Sequence, residues 1–173
     1  MENKNNYKSQ LEQVAEDLFE FAIDRTDLRF LMEHLSKEAD IKRVTVEYEL
    51  QILKIITVGW SIAFYLEHSP QKNLILEVFW KAVFEYSQGL SETTGLMIGQ
   101  DIDYFQILKN RLEMYVDAMN NQPDAPEPSA VIGPEFAKTC GNAKDLFTFM
   151  TGTKMFVSTN NKVKEYLEAL KLR

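Results

Sequence analysis

The chain has 173 residues, of which 45% are hydrophobic, 12% aromatic and 26% charged, with a formal net charge of −7. That length supports one domain with a sizeable core, and the composition excludes a disordered chain. The acidic balance argues against broad binding to nucleic acid or to an anionic membrane, since both require a basic face.

The start, MENKNNYKSQ, holds no apolar stretch of the kind that forms a secretory signal peptide, and the polar residues 1–8 are expected to fray. From Ser9 the residues Leu11, Val14, Ala15, Leu18, Phe19 and Ala22 recur at helical spacing, with Glu12, Glu16, Asp17 and Glu20 outside the stripe. This predicts an amphipathic helix to Asp24. Thr26 is a candidate N-cap for a short helix over 27–35, and Asp40 a candidate cap for the next.

Arg43 to His68, RVTVEYELQILKIITVGWSIAFYLEH, is apolar around most of its circumference and predicts a buried central helix. Its most apolar run, 52–66, includes Lys54 and falls short of the roughly 20 residues that span a bilayer. Glu47, Gln51, Lys54, Ser61, Tyr65 and His68 fall within about 100° of one another on a helical wheel. This polar stripe is expected to face solvent, with Lys54 snorkelling to water. Facing a cavity instead, Glu47, Lys54, Tyr65 and His68 would be the first residues to examine. Gly59 interrupts the helix at a cost of about 1 kcal/mol relative to Ala. A closely crossing neighbour explains it best; the competing explanation is a ligand space lined by Gly59, Trp60, Phe64 and Trp80, between helices 43–68 and 71–88.

Pro70 opens the next helix, expected to end near Gln88, because Gly89, Gly95 and Gly99 mark 89–101 as a connector. Asp101 is read as the cap of an amphipathic helix to Asn120. Residues 122–134 hold Pro123, Pro126, Pro128 and Pro134 and predict an extended strap. Pro134 is read as the start of a short helix ending at Gly141, and Asn142 with Asp145 as a capping pair for a helix to Thr151. The run 146–158 also alternates well enough for a β-hairpin turning at Thr151-Gly152. A last helix covers 161–172. The expected fold is all-α, an irregular bundle of about five to seven helices around 43–68. It forms a single domain, divided into a main bundle (1–121), the proline-rich strap (122–134) and a C-terminal helical extension (135–173).

Motifs for a named reaction are missing. His34 and His68 directly follow Glu33 and Glu67, so the Glu-x-x-His pattern of di-iron bundles does not occur. Glu165-x-x-Glu168 has no Glu-x-x-Asp counterpart of the kind that all-helical nucleotide pyrophosphohydrolases pair with it to hold Mg²⁺. GLMIG at 95–99 lacks the Lys-Ser/Thr of a phosphate-binding loop, and no G-x-S-x-G occurs. Cys140 is the single cysteine; with no disulfide to form, it reads as a small packed residue of a cytoplasmic protein. No metal, cofactor or catalytic residue is assigned.

Binding is better supported than catalysis. Phe147, Phe149, Met150, Met155 and Phe156 crowd one segment, an adaptable surface for a partner unless they seal the bundle's end. Residues 138–173 hold seven Lys or Arg against three acids, a balance of +4; the first 137 hold 12 against 23, or −11. A basic tail beside an acidic body favours docking on itself or on a second copy. The expected function is therefore a non-enzymatic interaction, regulatory or adaptor protein that self-associates. The alternative is a binder of an apolar small molecule or acyl chain between helices 43–68 and 71–88.

Overall fold

The computed structural model describes residues 2–39, 41–99 and 101–172, with the backbone alone for 2–9 and 98. The cap expected at Asp40 lies outside the described residues. Seven helices follow in order among those described: α1 (Glu2–Ile23), α2 (Thr26–His34), α3 (Arg43–Tyr65), α4 (Lys72–Ile98), α5 (Tyr104–Asn120), α6 (Ser129–Thr139) and α7 (Leu146–Ala169). The all-α class holds, and α3 touches each of the other six helices. None of the helices is long and apolar enough to cross a membrane, among the described residues.

The central position of α3 follows from its composition. Val46, Leu50, Ile52, Leu53, Ile55, Ile56, Val58 and Ile62 are all buried, on several sides of the helix. Each such side chain removed from water contributes about 1.5–3 kcal/mol, so an element like this has to be enclosed. Gly59 shows how closely. A Cβ built there would lie 2.4 Å from Cζ2 of Trp80 on α4, so the indole packs directly against the helix at Gly59. Trp60 stacks on Phe64 at 4.9 Å and 12°, and packs against Phe156.

Helix boundaries differ from expectation at several places: Thr26 lies inside α2 rather than capping it, α3 ends at Tyr65 rather than His68, and α4 begins at Lys72 rather than Pro70. α1 begins at Glu2, within the stretch expected to fray. α4 runs through Gly89 and Gly95 to Ile98, because Ile75, Phe79, Val83 and Ser87 form a buried row at four-residue spacing and α1 packs along this helix. Tertiary burial of this kind overrides helix propensity. Only Gly99 takes the left-handed backbone (φ 66°) that ends it. Asp103 rather than Asp101 caps α5, accepting from the Gln106 N–H at 2.9 Å. The proline strap gives way to helix at Ser129, and Pro134 sits inside α6. Pro134 is exposed, and so is Ala130, whose carbonyl loses its helical donor and can turn to water instead.

The C-terminal region is the largest correction. The hairpin expected as a rival over 146–158 does not form, and the two short helices merge into one 24-residue helix, α7. Asp145 caps it, accepting from the Thr148 N–H at 2.9 Å. Gly152, placed at the hairpin turn from sequence, is where α7 crosses α6: a Cβ there would lie 2.4–2.7 Å from Phe136, which is fully buried. Gly152→Ala therefore destabilises the protein by about 1–3 kcal/mol through overpacking, although Ala is the better helix former by about 1 kcal/mol. Urea unfolding checks the sign, and a more stable variant contradicts this packing.

Candidate functional site

The middle of the polar stripe of α3 faces neither solvent nor an open cavity. Gln51, Lys54 and Ser61 are buried, and they lie where the α1–α2 turn and α7 meet above α3. Gln51 donates to the Ala22 carbonyl at 3.0 Å. Ser61 donates to Asn160 Oδ1 at 2.9 Å, and Asn160 donates in turn to the Tyr65 hydroxyl at 2.8 Å. Glu47 pairs with Arg25, and His68 lies exposed in the turn beyond α3. The four residues to be examined for a cavity are thus dispersed: one buried, one at the α7 contact and two at the surface.

Lys54 is the exception to its expectation. Instead of snorkelling it is fully enclosed, with Nζ donating to the Asp24 carbonyl at 2.7 Å. Asp27 Oδ2 lies 3.4 Å away, Asp24 Oδ2 lies 4.0 Å away, and the ammonium sits 4.4 Å from the Phe21 ring centroid. Burial pushes the Lys54 amine below its ordinary range, opposed by the charges of Asp27 and Asp24. Asp27 also receives a 2.7 Å hydrogen bond from Lys162 of α7. Burial alone would raise its carboxyl, but the Lys162 hydrogen bond and the two lysine charges offset this and hold it below the usual range. Asp27 therefore ties α2 to α3 and α7 at once.

On either side of this tie the seam opens. A groove of about 610 Å³ runs between α2 and α7, lined by Asp27, Phe30, Leu31, Thr153, Lys154, Val157, Ser158 and Asn161. Its apolar rim is left in water: Phe30 is 60% exposed and Val157 is 38% exposed. The Phe30 ring packs tilted against His34, 4.2 Å between centroids at 36°, and His34 Nδ1 reaches the Phe30 carbonyl at 2.7 Å. His34 thus steadies the aromatic wall. Beyond the tie a smaller recess of about 250 Å³ lies between α1 and α7, lined by Asp17, Leu18, Phe21, Lys162, Val163 and Tyr166. Tyr166 closes its floor by donating to Asp17 at 2.6 Å, and with Gln13 it holds the Asp17 carboxyl low.

The residues expected to form a partner surface divide. Met155 and Phe156 are core, and Phe149 lies against Gly133 of α6. Phe147 and Met150 do reach the surface. The cause is the helix itself: a continuous α7 distributes these residues around its circumference rather than along one strand face. Of the ligand-space residues, Gly59 and Trp80 touch each other, Trp60 is partly buried and Phe64 is exposed. Sequence reasoning missed Phe30 and Asp27. The signal for Phe30 lies in α2, where Leu28, Leu31, Met32 and Leu35 complete the inward face and leave Phe30 as a surplus aromatic.

A second buried charge belongs to the framework. Arg111 of α5 makes a two-pronged bond to Glu49 of α3, Nε to Oε2 at 3.0 Å and Nη2 to Oε1 at 2.8 Å. Cys140 lies buried at the end of α6, where burial pushes its thiol up to about 12, so it stays protonated near neutrality. Among the described residues, no three His, Cys, Asp or Glu side chains converge as a metal site would require. No family model matches the chain, and neither a curated protein nor a solved structure matches it.

Proposed function

We propose that this chain is a non-enzymatic helical interaction protein, regulatory or adaptor in kind, that self-associates through the groove between α2 and α7. The observation that carries this reading is the exposed Phe30–Val157 rim over a 610 Å³ apolar groove. Large aromatic and aliphatic groups left in water at a concave site provide the energy that a partner's apolar side chains recover by docking. Two packed helices with a channel between them suit the helix-in-groove mode, in which a few apolar anchors from a partner helix enter the channel.

The buried tie supports the same reading. Asp27, held by Lys54 and Lys162, fixes the spacing of α2 from α7 and so shapes the groove before any partner arrives. A groove formed in advance loses less ordering entropy on binding. The close packing of Trp80 on Gly59 favours the groove over a small-molecule site between α3 and α4.

Light scattering during size exclusion tests the proposal. The wild-type mass should rise with loading concentration, while the double variant Phe30→Glu, Val157→Glu elutes as a monomer with unchanged helicity. A variant that assembles like wild type, or a wild-type protein that stays monomeric at every concentration, refutes self-association through this groove.

A further inference from the structure

Resting on that reading, we infer that the occupant of the groove is the C-terminal tip of α4 from a second copy, led by Leu96 and Met97. These two residues are the most exposed large apolar side chains among those described, at 90% and 80%. They stand in the last turn of α4, just before Gly99 in the left-handed region stops the helix. Consecutive apolar residues at a helix tip do nothing for the fold that presents them. They are anchors without a pocket, as the α2–α7 groove is a pocket without anchors.

The charges agree with this pairing. Leu96 shares its surface recess with Glu92, Asp101 and Asp103, and no basic residue lines it. The last turn of α4 adds the partial negative charge of a helix C-terminus. The groove's own lining carries two charges, Asp27 and Lys154; Asp27 is already held by Lys54 and Lys162, which leaves Lys154 as the exposed cation at the rim. An acidic apolar tip and an apolar groove with a lysine at its rim are complementary surfaces at different places on one chain. The contact they make is heterologous, head to tail, and it propagates to a ring or an open chain unless one end is blocked.

Blocking is the test. Two variants are prepared: a groove-dead form, Phe30→Glu with Val157→Glu, and a tip-dead form, Leu96→Glu with Met97→Glu. All four positions are exposed, so circular dichroism and thermal melts serve to confirm that both forms fold. Each alone should sediment as a monomer. Mixed, they should form a complex that stops at one copy of each, since the mixture holds one working tip and one working groove. As a second pair, Glu92→Lys should weaken assembly and Lys154→Glu in the other copy should restore it.

If the groove-dead form dissociates but the tip-dead form assembles like wild type, self-association through the groove stands and the tip is not its occupant. A mixture that stays monomeric also overturns the tip as occupant. If both variants assemble like wild type, or wild type itself is monomeric, the underlying reading fails together with this one.

Discussion

Arg111→Ala destabilises the protein by about 3–5 kcal/mol, the usual cost of stripping one partner from a buried ion pair. Glu49 is almost wholly buried on α3, and both of its oxygens are held by the Arg111 guanidinium. Without the arginine, a carboxylate stays inside the bundle among Tyr48, Tyr104 and Tyr115, whose hydroxyls burial already holds above their ordinary range. Urea unfolding monitored by tryptophan fluorescence gives the number. For a chain of this size the melting temperature should fall by roughly 2–4 °C per kcal/mol. The double replacement Glu49→Leu, Arg111→Met should recover most of the loss, because well-packed apolar groups often equal a buried pair in stability. A single variant within about 1 kcal/mol of wild type contradicts the assignment of Glu49 as a buried charge.

Asp27→Ala has the second large effect, about 3 kcal/mol at neutral pH, near the low end of the same range because Asp24 remains close to Lys54. The pH profile identifies the cause. In the folded protein the Asp27 carboxyl lies below its ordinary value of 3.8, so its contribution is complete above that pH and is lost as pH falls through the folded value. The deficit of the variant should therefore vanish in acid. On the alkaline side the Lys54 amine lies below its ordinary value of 10.5, so the unfolded chain holds more protons between the two values. Stability from this group rises with pH there, and it rises more in the variant, because removing Asp27 takes away a charge that opposes the fall and leaves the amine lower still. The deficit should shrink again toward alkaline pH. Chemical denaturation at a series of pH values tests this, and a deficit that does not change with pH refutes the coupling between Asp27 and Lys54.

Much of the architecture was legible in the amino-acid pattern. The helical class, the central place of the segment 43–68 and the close approach at Gly59 all follow from periodicity and from the apolar circumference of one segment. What misled were residues whose local meaning was overruled by burial. Gly89, Gly95 and Gly152 read as breaks, yet two of them lie within α4 and the third accommodates the Phe136 ring. Pro134 read as a helix start because the missing N–H is harmless there; on the exposed face of α6 water supplies what the proline cannot.

The candidate site was harder to see, for a physical reason. Lys54, Asp27 and Lys162 lie in three separate helices, and their pairing depends on how α1 turns into α2 above α3. A stripe of polar residues on a helical wheel has the same pattern whether it meets water or partners. Only the placement of Asp24 and Asp27 over Lys54 distinguishes the two. The apolar segment 147–156 was likewise correctly seen as rich in Phe and Met. Its distribution between core and surface required knowing that α7 is unbroken.

Hydrogen exchange measured at low and high protein concentration tests the central claim most directly, because it locates the contact as well as detecting it. If the α2–α7 groove is the docking surface, protection should rise with concentration over 26–34 and 153–161 while α5 and α6 stay unchanged. Protection in α2 and α7 that is the same at both concentrations, or a rise confined to other helices, would contradict it.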